Sequence, residues 1–228
     1  MDMALKSGVS VHLRVNIDLS NIVYLPQLAQ IIQDRGWLKT GRLFTYLAPL
    51  QLKEGQYKGE EGSLVELLKK ILELYRTHPE TQVFDAFEFQ PVLMIRQFLK
   101  ERVLPLQFKQ CGANNYQYLL GPYGDISVCL GTCGDDEYSI GTFYPELHID
   151  EERLSAWRNR SILTIPECRE CKFGPICGGG CSLKALKNTG ILAAPHCPPL
   201  EPMLKLALEY YLPQLKACEP REIQIDKG

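Results

Sequence analysis

The sequence has no surplus of basic residues. Its 25 Lys and Arg stand against 27 Asp and Glu, a formal net charge of -2. No strongly basic face is therefore available to grip a phosphate backbone, and no nucleic acid is expected as a partner. Long apolar runs are also lacking. The longest, such as PVLMI at 91–95, fall far short of the ~20 residues of a membrane span, so no membrane association is expected. The opening MDMALKSGVSVHLRV contains neither an apolar h-region of signal-peptide length nor a small-residue cleavage site, which points to the cytoplasm. There is no internal repeat, no P-loop glycine pattern and no Ser/His/Asp order. The four histidines, His12, His78, His148 and His196, are scattered. Cysteine is missing from the whole stretch before Cys111.

Beyond that point nine cysteines follow: Cys111, Cys129, Cys133, Cys168, Cys171, Cys177, Cys181, Cys197 and Cys218. The number is odd, and a chain of 228 residues can bury a sizeable core without covalent staples. A reducing cytosol also disfavours disulfides, so C-x-x-C spacing here points to metal or redox work.

The chain divides in texture near residue 108. Before it, strand and helix patterns alternate. VSVHLRVNI (9–17) reads as a buried strand and RLFTYLAPL (42–50) as a second. Between them, residues 24–36 read as a helix with Pro26 in its first turn, an apolar stripe of Leu28, Ile31 and Ile32, and Gly36 as its stop. Residues 62–79 form an amphipathic pattern with Ser63 as N-cap and Glu66 three residues on. Roughly 84–101 reads as a further helix. This order predicts an α/β fold with parallel strands and helical crossovers. After residue 108 the chain becomes turn-rich and α+β in character. A hairpin is expected over 116–129 and a helix capped by Asp150 over 150–160, with a final helix at about 200–217. The tail 219–228 is polar.

The densest motif is PECRECKFGPICGGGC (166–181), with spacing C-x2-C-x5-C-x3-C. Close thiolates on one loop can wrap a soft metal centre, either zinc or an iron–sulfur cluster. Gly178, Gly179 and Gly180 permit positive φ and close backbone approach, and their N–H groups suit sulfur acceptors. Arg169, Lys172 and Lys184 either neutralise an anionic cluster or are ordinary solvated charges.

The flanking cysteines extend the pattern. Cys111 is followed by x12, Gly124, x4 and Cys129, and Cys197 lies in APHCPP downstream. This seven-cysteine order, covering about 111–197, resembles the SPASM domain, the auxiliary-cluster domain of many radical S-adenosylmethionine (radical SAM) enzymes. The resemblance implies two 4Fe–4S clusters. Cys168, Cys171, Cys177 and Cys197 would bind one, and Cys111, Cys129 and Cys181 the other. Many members carry a further cysteine soon after the first, and GANNYQYLL has none. The fourth position is then open or filled by Cys133, and Cys218 has no counterpart. ALKSGVSVHLRVNIDLSN is similar to the middle of a radical SAM partial barrel, which implies Arg14 and Asn16 as residues lining the cofactor pocket.

One part of the family pattern is absent. Radical SAM chemistry uses a cluster carried by C-x3-C-x2-C. Asp136 stands three residues after Cys133 and Lys184 three after Cys181, so neither C-x3-C pair completes that motif. The expected architecture is the C-terminal portion of a partial (β/α) barrel over 1–108 and a SPASM-like domain over 109–218, followed by the tail 219–228. The expected partners are a peptide or protein substrate and a chain or N-terminal segment carrying C-x3-C-x2-C. S-adenosylmethionine would bind only with that half supplied. Zinc in the cysteine loop is the alternative cofactor. A barrel divided in this way leaves the 9–17 strand with an unpaired edge, which is expected to be covered, self-associating or paired with the partner.

Overall fold

The computed structural model describes residues 1–50, 60–86, 88–101, 103–104 and 106–218; the tail 219–228 lies outside them. In chain order the elements are α1 (Asp2–Lys6), β1 (Val11–Ile17), α2 (Leu25–Asp34), β2 (Leu43–Pro49), α3 (Glu60–Thr77) and α4 (Gln90–Glu101). The short strands β3 (Leu119–Leu120), β4 (Asp125–Ser127), β5 (Gly141–Thr142) and β6 (His148–Ile149) follow. The helices α5 (Glu151–Arg158), α6 (Pro166–Arg169), α7 (Gly174–Cys177), α8 (Ser182–Thr189) and α9 (Leu200–Lys216) complete the order. The fold is mixed α/β with small sheets. Among the described residues, 1–50, 60–104 and 199–218 form one compact unit and 106–198 a second.

In the first unit β1 and β2 are parallel, in register from Val11 opposite Leu43 to Ile17 opposite Pro49. The helix α2 supplies the crossover between them, as strand–helix–strand order requires. Asp85 lies beside β2 in a single parallel bridge to Tyr46. Among the described residues β1 has β2 as its one sheet neighbour, so its other edge is unpaired. The strand is also less buried than its β-branched run predicts. Only Ile17 is fully covered, while His12, Arg14 and Asn16 form an exposed face. Helix α2 turns Leu25, Ala29 and Ile32 to the core and leaves Leu28 half-buried and Ile31 exposed, so the predicted stripe is rotated by about one residue. Gly36 terminates this segment at φ 65°, in the left-handed region glycine favours.

Helix α3 begins at Glu60, so Ser63 lies inside it and is not its cap. Residues 84–86, 88 and 89 are not helical. Phe84 is extended and Asp85 bonds to β2, and α4 starts at Gln90. Burial explains the difference: Phe84, Ala86 and Phe89 are core residues whose spacing imitates a helical stripe. The terminal helix α9 packs on α3 and α4 and so belongs to this unit, although it follows the cysteine-bearing segment in sequence. Fully buried Leu47, Leu68, Ile71 and Val92 anchor the layers, each contributing roughly 1.5–3 kcal/mol by leaving water.

The second unit holds a four-stranded antiparallel sheet in the order β3-β4-β5-β6. The predicted hairpin is β3–β4, closed by Gly121-Pro-Tyr-Gly124 with Gly124 at φ 91°. Asp150 caps α5 by accepting from the Arg153 N–H at 2.9 Å. Ala113, Ile126, Val128, Ile140 and Trp157 form the core between sheet and helix, and Cys129 packs against it. A smaller cluster of Ile162, Ile165 and Cys168 lies beneath the cysteine loop.

Candidate functional site

The cysteine loop is built from two single-turn helices. Pro166 opens α6, where its missing N–H costs nothing. The Cys171 N–H then donates to the Cys168 carbonyl and the Gly174 N–H to the Cys171 carbonyl, which leads into α7. Gly178, Gly179 and Gly180 follow, all with left-handed φ of 67°, 86° and 70°. A Cβ on Gly178 would sit 2.7 Å from the Gln110 nitrogen, and one on Gly180 would overlap the His196 carbonyl oxygen. The run is therefore required twice over, by conformation and by space.

None of the nine cysteines is joined in a disulfide, and seven of them fall into two electrostatic neighbourhoods. Burial pushes the Cys168 thiol up to about 11, and the nearby Cys177, Cys197 and Cys171 push the same way. Cys177 is also raised, first by burial and then by Cys197 and Cys171, while the Gly179 and Gly180 N–H groups favour its thiolate by hydrogen bonding. The second neighbourhood centres on Cys129. Burial raises its thiol and Cys181 and Cys111 add to this, with the Gly131 and Thr132 N–H groups acting in the opposite sense. Cys171, Cys177 and Cys197 thus act electrostatically on Cys168, and Cys111 and Cys181 on Cys129. Cys133 is exposed and is not among the groups acting most strongly on Cys129.

Among the described residues no three His, Cys, Asp or Glu side chains meet in the tight constellation of a single-ion site. The two sets are neighbourhoods rather than closed coordination spheres. Their chemistry nevertheless suits an anionic iron–sulfur group: soft donors, partial burial, and in each set one sulfur served by two backbone N–H groups.

Several basic side chains hold this architecture through backbone carbonyls. Lys109 donates to the Asn114 and Arg158 carbonyls. Arg158 reaches Gly112 and Gln117 and lies over the Tyr118 ring. Arg160, 2% exposed, reaches Gly179, Gly180, Leu192 and Ala194. Asn114, fully buried, ties the Cys111 turn to Ser182 beside Cys181. Sequence reading missed Arg160 and Asn114, because their partners are distant in the chain. Of the loop charges singled out from sequence, Arg169 bonds to the Leu163 carbonyl and Lys172 lies over Phe173. Asp135 accepts from the Glu137 N–H and so caps a turn.

Arg14 and Asn16 lie in the other unit, on the exposed face of β1. The Arg14 Nε donates to the Asn16 Oδ1 at 3.0 Å. Asn16 borders an open groove of about 400 Å³ that also involves Val15, Asn21, Tyr24, Leu28 and Ile31; Arg14 is outside that lining.

Compared with protein-family models and with curated proteins, the chain matches none. Among the described residues no helix is long and apolar enough to cross a membrane.

Proposed function

We propose that the cysteine-rich unit is the auxiliary-cluster portion of a radical SAM peptide- or protein-modifying enzyme, of the SPASM type. Cys168, Cys171, Cys177 and Cys197 would hold one 4Fe–4S cluster. Cys111, Cys129 and Cys181 would hold a second. One observation supports this reading: among seven thiols spread over 87 positions from Cys111 to Cys197, those acting on Cys168 and those acting on Cys129 match the two sets that the resemblance implies. When bound, such clusters supply single-electron transfer or a point of substrate ligation. The N–H donors at Cys129 and Cys177 stabilise ligating thiolates, and Cys133, which is not among the groups acting most strongly on Cys129, leaves the fourth site of the three-cysteine set open.

The first unit is read as the C-terminal portion of a partial (β/α) barrel. Its parallel β1–β2 pair, its helical crossover and, among the described residues, the open β1 edge support that reading. A partner chain or N-terminal segment carrying C-x3-C-x2-C would add its strand at this edge. S-adenosylmethionine would bind only in the completed barrel, with Asn16 and Arg14 near its pocket. The setting is the cytoplasm.

Iron, acid-labile sulfide and zinc analysis of anaerobically isolated protein tests the cluster assignment. About eight irons with matching sulfide are expected for two clusters. Stoichiometric zinc without sulfide would replace this reading with a zinc-stabilised interaction protein.

A further inference from the structure

Among the described residues, Arg160 is a buried cation without a carboxylate partner. Its guanidinium carries five N–H donors. The Nε donates to Leu192 at 2.9 Å, Nη1 to Gly180 at 2.8 Å, and Nη2 to Gly179 at 2.7 Å and Ala194 at 3.0 Å, all carbonyl oxygens. These dipoles satisfy four donors but supply no net negative charge. A charge taken out of water without a counter-charge is strongly disfavoured. Burial accordingly works against the charged form of Arg160. The Gly179 and Gly180 carbonyls that hold its guanidinium lie between Cys177 of one cysteine set and Cys181 of the other.

Its hydrogen bonds add a second role. By accepting from Arg160, the Gly179 and Gly180 carbonyls turn to one side of the left-handed run, and the N–H groups of the same residues face Cys177. A guanidinium suits this post better than an ammonium, because its planar fork bridges several fixed carbonyls at once.

We propose that Arg160 is the shared counter-cation of both cysteine sets, a positioning residue that raises the reduction potential of the two bound clusters together. The inference rests on the cluster assignment above. Each cluster gains one electron from an external reductant such as dithionite, and Arg160 keeps its proton throughout. A fixed positive charge favours the more negative, reduced form.

The test is anaerobic redox titration with dithionite and mediators, followed by electron paramagnetic resonance, on the wild type, Arg160→Gln and Arg160→Lys. Arg160→Gln is expected to lower the equilibrium constant for one-electron reduction of both clusters about tenfold, a shift of about 59 mV to more negative potential. Arg160→Lys keeps the charge and loses the fork, so its potentials stay near wild type while its melting temperature falls. If Arg160→Gln cannot be loaded, Arg160→Lys decides: retained potentials support the proposal, and a tenfold fall at both clusters overturns it in favour of a purely structural role. Two clusters with unchanged or singly shifted potentials in Arg160→Gln overturn this inference alone. A wild-type protein lacking the two iron clusters overturns it together with the cluster assignment.

Discussion

The Asn114 Oδ1 accepts a hydrogen bond from the Ser182 Oγ at 2.8 Å, across 68 positions of sequence. The same amide donates from Nδ2 to the Trp157 carbonyl at 2.9 Å. One buried side chain therefore fastens the turn carrying Cys111 to the start of the helix that follows Cys181. In Asn114→Ala, the Ser182 hydroxyl and the Trp157 carbonyl are left buried without this partner. A loss of about 1–3 kcal/mol is expected, read by denaturant unfolding of the apoprotein. A change within experimental scatter would show that water replaces the amide freely.

Two glycines at nearly the same dihedral angle should behave differently. Gly180 and Gly190 have φ of 70° and 73°, but a Cβ at Gly180 meets the His196 carbonyl whereas one at Gly190 meets nothing within 4 Å. Gly190→Ala is expected to cost roughly 1–2 kcal/mol for the left-handed conformation alone. Gly180→Ala should cost clearly more and displace the segment that carries Cys197. Comparing the two melting temperatures checks this, and equal losses would mean the backbone around His196 yields easily.

Serine substitutions sort the cysteines by role. Cys177→Ser should reduce the metal content of anaerobically isolated protein by about four irons. Cys133→Ser and Cys218→Ser should leave it unchanged. Loss of iron from Cys133→Ser would identify that exposed thiol as a ligand.

The open edge of β1 can be blocked without breaking its ladder. The Val11 N–H donates to the Arg42 carbonyl, and the Ile17 carbonyl accepts from Leu50. Successive amides point to opposite edges, so those of residues 11, 13, 15 and 17 face β2 and that of Arg14 faces outward. Proline is tolerated where the lost N–H is an outward one. Arg14→Pro should keep the circular dichroism spectrum and suppress strand addition, measured by sedimentation against the wild type. Leu13→Pro should unfold the unit. If association persists in a folded Arg14→Pro, another surface carries it.

The first unit should lose stability in alkali. Burial pushes the Tyr211 hydroxyl up to about 12 and raises Tyr75 further. The Tyr75 hydroxyl donates to the Phe84 carbonyl. Both groups ionise more readily unfolded, near the ordinary value of 10. Their contribution is therefore complete below that pH and is lost as pH rises from about 10 toward 12. Denaturant midpoints at pH 8, 10 and 11 should fall, and less steeply in Tyr75→Phe. A flat profile would show that these hydroxyls titrate freely in the folded chain.

Legibility in the sequence follows the range of the interactions. The β1 and β2 strands, the Asp150 cap and the Gly121–Gly124 turn could be read because each depends on neighbours a few residues away. The left-handed path of Gly178–Gly180 was readable for the same reason. The stretch from Phe84 to Ala86 was misread because apolar residues of a helical pattern also serve an irregular buried segment beside β2. Arg160 was invisible as a central residue. At the end of a charged helix it resembles a surface side chain, and its carbonyl partners lie 19 to 34 positions away.

The path of the last helix has a practical outcome. Residues 106–198 are an insert within a unit whose continuity resumes with α9, so the boundary suggested by cysteine placement differs from the boundary of the compact unit. A gene product stopped at Pro198 would retain every proposed ligand yet strip α3 and α4 of their covering helix. Excising the insert and rejoining its flanks, by contrast, would spare that layer.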